Sequence, residues 1–442
     1  MTTGPVDDDR LDRLRLTGDP EADELAAALR RGHEELDERD LVRLVLDRLA
    51  HPDRAAPGDL GDWLFGGPPL PDWADDAAIR AGQQFFDCWA LPISTALFCA
   101  SLPTGYAGAK GVQVLALTSD LAGGDMRRRV AETAQMLVDI MDPGPRSPAT
   151  LEPGGQGHLT VRGVRLLHAV VRDAILTSPA VARTCDESVP SRWCDEWGHP
   201  INQEDLLGTL LTFTVSVLDA LDRCGIPYDT AGAEGYVHVW CVVGAQLGLH
   251  PDLLPFDRAG ARALAERIYR RQHGPSDAGE RLMSVLLDQM ELAMPWGLRK
   301  LPRTMVRHMA PPGVADLVGV PRAAWWAPAL RVLRVTGPLV GRIPGGRRMC
   351  EMPGDLLARA VIRMFVDSAL DGVRPAFRLD VTTARALAIE TSVARQRRRR
   401  RRVAARRGRA TPPVGHAAPG AGRASGRPPG PARPGPGEEL AS

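Results

Sequence analysis

From Asp76 to Pro375, apolar residues recur at i, i+3 and i+4 between separators of proline and glycine, and nowhere do they alternate as in a half-buried strand. A chain patterned this way buries its apolar stripes by packing helix on helix, so the expected fold class is all-α. The spacing predicts helices over 77–90, 92–102, 108–120, 124–141, 160–177, 203–224, 232–248, 257–272, 276–294, 321–335, 354–371 and 381–396. Asn202 ahead of Gln203-Glu204-Asp205 is a cap residue followed by first-turn acids, which marks a helix start. Pro20 to Leu49 reads as further helices, residues 1–18 as a loose polar segment, 51–61 as a break, and 62–71 as more loop than element.

After Ala394 the pattern stops. Six consecutive arginines, 397–402, lead into proline, glycine, alanine and arginine with hardly any large apolar residue, a composition that cannot offset chain entropy. The sequence therefore divides into an N-terminal polar segment with helices (1–60), a helical domain (61–394) and a disordered tail (395–442). The tail carries thirteen arginines against two glutamates, about +11, and the net charge of +1 leaves the remainder near −10. Such a body would not attract nucleic acid by general electrostatics, whereas the arginine cluster at 395–409 is a candidate for weak contact with anionic lipid or nucleic acid. At 44% hydrophobic residues over its whole length, the chain has ample apolar content for an enzyme-sized core. The acidic start lacks the charge and apolar run of an export signal, and no run is long enough for a membrane span, so a cytoplasmic protein is expected.

Seven cysteines (88, 99, 185, 194, 224, 241 and 350) show no CxxC spacing and, in that compartment, are expected to be buried or free thiols. Cys185, Cys194 and His199 match no standard zinc spacing and lack a fourth ligand.

The chemistry concentrates in TVRGVRLLHAVVRDAILT (160–177). At 100° per residue, Arg165, His168 and Arg172 fall within about 60° of one another. An imidazole for iron with cations nearby for propionates is what a haem site requires. Taken alone, this helix is better read as carrying a packed, hydrogen-bonded core histidine, and its arginines equally fit surface ion-pair partners.

Four blocks in order, RRRVAETAQMLVDIMDPG (127–144), VRGVRLLHAVVR (161–172), WGHPINQEDLLGTL (197–210) and YVHVWCVVGAQLGLHPDLLP (236–255), resemble the latex-clearing rubber oxygenases and the related MpaB-type oxygenases over roughly residues 60–375. The resemblance implies a helical, globin-like haem b protein that uses dioxygen to cleave a carbon–carbon double bond in an isoprenoid chain. It implies His168 as the proximal iron ligand, and Arg129 and Thr133 as the arginine and threonine that line the haem pocket from the preceding helix. Arg165 and Arg172 are the propionate partners by helical geometry together with the resemblance. His238, in YVHVW, is expected to be a core histidine, and Gly244 and Gly248 to allow close helix packing.

Two positions depart from the rubber-cleaving pattern. Glu132 stands where those proteins have a lysine before the threonine, and 106–119 carries no acid where they have a glutamate. A small terpenoid or prenyl chain is therefore the expected substrate rather than rubber. The alternatives are a haem protein of the same fold with a peroxidase, monooxygenase or sensing role, and a non-catalytic scaffold whose tail binds polyanions.

Overall fold

The computed structural model describes residues 6–37, 40–42, 44–45, 59–122, 126–141 and 149–322, with side chains undescribed for 119–131. The helices expected at 321–335, 354–371 and 381–396, the tail with its 395–409 cluster, and Cys350 lie outside the described residues. What is described is all-α. The helices are α1 (Asp8–Arg15), α2 (Pro20–Gly32), α3 (Asp59–Phe65), α4 (Asp76–Cys88), α5 (Ala90–Tyr106), α6 (Val112–Ala122), α7 (Met126–Ile140), α8 (Gln156–Thr177), α9 (203–224), α10 (Thr230–Gln246), α11 (Arg258–Gln272), α12 (Asp277–Ala293), α13 (Leu301–Met309) and the single turn α14 (Val314–Leu317).

The expectation that residues 1–18 are loose is corrected by α1. Asp7 caps it by accepting from the Arg10 amide, Asp8 and Asp9 occupy its first turn, and Arg13 and Arg15 its last, so each end complements the helix dipole. Leu11 is fully buried, and together with the buried Arg15, which pairs with Glu204 and Asp205, it ties the helix to the core. Part of the 62–71 loop is likewise helical, as the end of α3. The expectation of no strands yields to one two-residue parallel pair, β1 (Ala182–Arg183) and β2 (Arg192–Trp193), too short to leave an alternating signature.

The cysteine expectation is also corrected. Cys185 and Cys194 form a disulfide with Cα atoms 4.5 Å apart, closing the loop between the two strands, while Cys99, Cys224 and Cys241 are free thiols and Cys88 is exposed. Their sulfurs are bonded to each other, so neither is a zinc ligand in this form.

The largest core joins α4, α5, α9, α10 and α12. Its tightest crossing is between α4 and α10, where a Cβ on Gly82 would lie 2.3 Å from the Gly235 carbonyl oxygen, a distance only glycine permits. Helix α8 connects two smaller cores. Leu166, Ala169 and Val170 pack with Ala22 and Ala26 of α2 and Trp63 and Leu64 of α3, while Val171 and Ile175 pack with Val114 and Leu117 of α6 and with Trp193. Held on two sides, α8 has little freedom to rotate, which fixes what its remaining side presents. His238 is a structural residue: its Nε2 accepts the Asp75 amide at the start of α4, and Trp73 packs edge-on against its ring.

No single described helix is long and apolar enough to cross a membrane. The pair α4 and α5 passes that test only jointly and is bent by 85°.

Candidate functional site

A cavity of roughly 470 Å³ lies among α5 to α11, and His168 is part of its wall. Valines and leucines of α6 and α8, Met136 of α7 and Phe213 of α9 are among the others, and the interior is largely apolar. Two π-helical turns shape it, Leu97–Ser101 within α5 and Thr212–Ser216 within α9. They pack against each other, with the Ser101 hydroxyl donating to the Thr212 hydroxyl at 3.1 Å, and both hydroxyl residues line the cavity. A π turn inserts one extra residue into a helix and re-aims the side chains around it, which is why such turns gather at functional sites.

His168 keeps partial accessibility because it opens on the cavity. Its Nδ1 is buried without a hydrogen-bond partner, and no bond to either ring nitrogen is made among the described residues. Burial lowers its pKa from 6.5 to about 4, with the positive charge of Arg172 adding to the effect. At neutral pH the ring is therefore an uncharged imidazole with a lone pair available, the form that ligates iron. The residues present fit a haem iron at this position in charge state, burial and surroundings.

The two flanking arginines, expected to hold propionates, are not among the residues that line the cavity and pair with protein groups instead. Arg165 binds Asp19 through both ends of its fork, Nε to Oδ2 at 2.6 Å and Nη2 to Oδ1 at 2.8 Å, and reaches Glu21 at 2.8 Å. Arg172 donates to the Pro200 carbonyl at 2.9 Å and the Ile201 carbonyl at 2.7 Å, and pairs with Asp23. Both sit within one turn of His168, as helical spacing requires. Their long side chains, however, extend past the cavity to the acids of α2 and the carbonyls ahead of α9, partners far away in sequence.

Arg172 thereby holds a turn under strain. Ile201, a β-branched residue at φ 51°, occupies the left-handed region that such residues avoid, and its side chain lines the cavity. Arg15 secures the other end of the same turn by donating to the Trp197 carbonyl at 3.1 Å.

On α7, Glu132 and Thr133 line the cavity. Arg129 lies one turn earlier on that helix, with its side chain outside the described residues. Asn202 caps α9 as its sequence predicted, accepting the Asp205 amide at 2.9 Å. Sequence reasoning missed that the two acids behind the cap, Glu204 and Asp205, line the cavity. Arg15 pairs with both, at 3.3 and 2.9 Å, and Arg271 with Glu204 at 3.1 Å. Burial raises the pKa of Asp205 against the lowering pull of Arg15. Also missed was the end of α11, where Tyr269, Gln272 and His273 reach the same cavity. The i, i+3, i+4 spacing of those three polar residues was the available signal.

Residues 89–342 match the family described as ER-bound oxygenase mpaB/B'/rubber oxygenase, catalytic domain. The chain is 28% identical over 313 residues to a rubber oxygenase of Streptomyces sp. (strain K30), an alignment spanning 68% of this chain and 70% of that protein. Its fold matches the closed state of latex clearing protein with a TM-score of 0.59 and 24% identity, over 80% of this chain and 91% of the other.

Proposed function

This chain belongs to the mpaB and rubber oxygenase catalytic-domain family and is an oxidoreductase; from that premise we propose that it is a haem b-dependent oxygenase that cleaves a carbon–carbon double bond of a hydrophobic, isoprenoid-type small molecule. The observation that carries this reading is His168: a neutral imidazole, without a protein hydrogen bond, in the wall of a largely apolar cavity. Haem bound there would supply dioxygen activation, the chemistry that protein side chains alone do not provide. A globin-like arrangement of helices around the cofactor belongs to the same proposal.

The protein's own part is orientation and exclusion of water. Packing of α8 on two sides fixes where His168 stands in the cavity wall. Valines and leucines of α6 and α8 offer a prenyl chain an apolar wall, worth about 25 cal/mol per Å² of surface withdrawn from water. Thr133 brings a hydroxyl to that wall to orient dioxygen or water, and the family pattern gives Arg129 the same task. The overall change is balanced without an added reductant, since one double bond and one O₂ become two carbonyl groups.

Glu132 supports keeping a second reading. Where rubber-cleaving relatives carry a lysine, this cavity has a carboxylate, and that change suits a peroxidase or monooxygenase role of the same fold. The two readings separate on the products from a C20 prenyl chain incubated with haem-loaded protein under ¹⁸O₂. Cleavage gives two carbonyl fragments with one ¹⁸O each. Hydroxylated or unchanged chains would overturn it in favour of the second reading.

A further inference from the structure

The cavity holds a second imidazole, His273, which the haem reading does not use. Its position is set by backbone and stacking together. The His273 amide donates to the Tyr269 carbonyl at 2.9 Å. Ala109 donates to the Gln272 carbonyl and Gly274 to the Ala107 carbonyl, each at 3.0 Å, so residues 272–274 are laced to the segment after α5. The ring stacks on Tyr269 with centroids 4.6 Å apart and planes 13° from parallel. No hydrogen bond reaches its nitrogens among the described residues. Burial lowers its pKa to about 4, so it stands as a neutral ring with one N–H donor and one acceptor. A polar ring held this firmly and left without a partner is prepared for a ligand.

Its neighbours define the ligand's chemistry. Gln272 donates its amide N–H to Glu204 at 2.9 Å, which leaves its Oε1 buried without a donor. Glu204 and Asp205 also line the cavity, but their carboxylates are paired with Arg15 and Arg271, and the Glu204 side chain is fully buried. This part of the wall therefore offers one unmet acceptor, Gln272 Oε1, and has no lysine or arginine among its described lining residues. A carboxylate or diphosphate would find no cation in this wall, a carbonyl would bring no proton to Gln272 Oε1, and a hydroxyl both donates and accepts.

We infer that His273 is a substrate-binding residue and that the substrate is an uncharged prenyl-type alcohol whose hydroxyl is held by His273 beside Gln272 and Glu204. This rests on the reading above only in taking the cavity as the place where an apolar chain binds.

The test uses full-length, haem-loaded protein and three probes of one chain length: farnesol, farnesoate and the hydrocarbon farnesene, with affinities from tryptophan fluorescence at pH 7.5. Farnesol is expected to bind about tenfold more tightly than either of the others, the effect of roughly one hydrogen bond. His273→Phe keeps the stack on Tyr269 and is expected to remove that preference, leaving farnesene affinity, haem content and thermal midpoint unchanged. His273→Asn, which keeps a donor and an acceptor, restores at least threefold. Equal binding of farnesol and farnesene to wild type, farnesoate binding as tightly as farnesol, or a preference that survives in His273→Phe would each overturn the assignment. Preference for farnesol with no haem bound would uphold this assignment while sinking the oxygenase reading.

Discussion

Replacing Asp19 with alanine tests what α8's arginines do. Asp19 and Arg165 have side chains only 7% and 10% exposed, and the carboxylate takes both ends of the guanidinium fork. Removing one partner of such a pair leaves a buried charge unmatched and costs about 3–5 kcal/mol. Glu21 still reaches Arg165 at 2.8 Å but is 61% exposed, so it moderates the loss without replacing the pair. Asp19 also caps α2 through the Ala22 amide, at a long 3.4 Å, which adds well under about 1 kcal/mol. The expected cost is about 3–4 kcal/mol, read as a fall in the urea midpoint by circular dichroism. Arg165→Met leaves the buried Asp19 carboxylate without its guanidinium and is expected to cost about as much. Both variants are expected to keep haem stoichiometry in conditions where they are folded. A destabilisation below about 1 kcal/mol in Asp19→Ala would refute this reasoning. So would loss of haem from Arg165→Met with haem retained by an equally destabilised Asp19→Ala, since that would return Arg165 to the cofactor.

Other perturbations have outcomes as definite. His168 and His273 both titrate near pH 4 in the fold against about 6.5 unfolded, and burial lowers His158 and His238 as well, so the folded chain binds fewer protons than the unfolded one across this window. The stability they contribute is complete above about pH 6.5 and is lost as pH falls towards 4; the raised Asp205 works in the opposite sense. Thermal midpoints of haem-free protein between pH 7.5 and 4.5 should fall accordingly, less steeply in His273→Phe, and a flat profile would contradict the burial of these rings. Alkylation without reductant should label the exposed Cys88 and spare Cys185 and Cys194 until reductant is added, and immediate labelling of both would rule out the disulfide. The same assay on acid-quenched cells reads the compartment, because a cytoplasmic protein would show that pair open. Gly82→Ala must separate α4 from the Gly235 backbone and should cost on the order of 3 kcal/mol in urea unfolding; a neutral result would mean the crossing is looser than 2.3 Å implies.

Much of the helical order was legible because it follows from periodicity. Helix α8 was expected at 160–177 and begins one turn earlier, at Gln156, and Asn202 caps α9 as its chemistry required. The chain read helix by helix does not disclose distant partners. Arg165 and Arg172 look the same in sequence whether they face a cofactor or reach Asp19, Asp23 and the Ile201 carbonyl, residues brought close only by the fold. Helix α1 escaped notice because one buried leucine, Leu11, and an ion pair from Arg15 to the acids of α9 hold it, and neither makes a periodic stripe. The π turns at 97–101 and 212–216 leave the apolar pattern nearly unchanged while altering which side chains reach the cavity. Glu204 and Asp205 read as first-turn acids, and they are; that they also line the cavity depends on how α9 packs against α11.

The central claim is that His168 carries a haem iron in this cavity, and an absorption spectrum with pyridine haemochrome analysis tests it most directly. Wild-type protein reconstituted with haem b is expected to show a Soret band at one haem per chain, and His168→Ala, with its far-ultraviolet dichroism unchanged, is expected to lose it. A folded His168→Ala protein that keeps the full Soret band and haem stoichiometry would contradict the account.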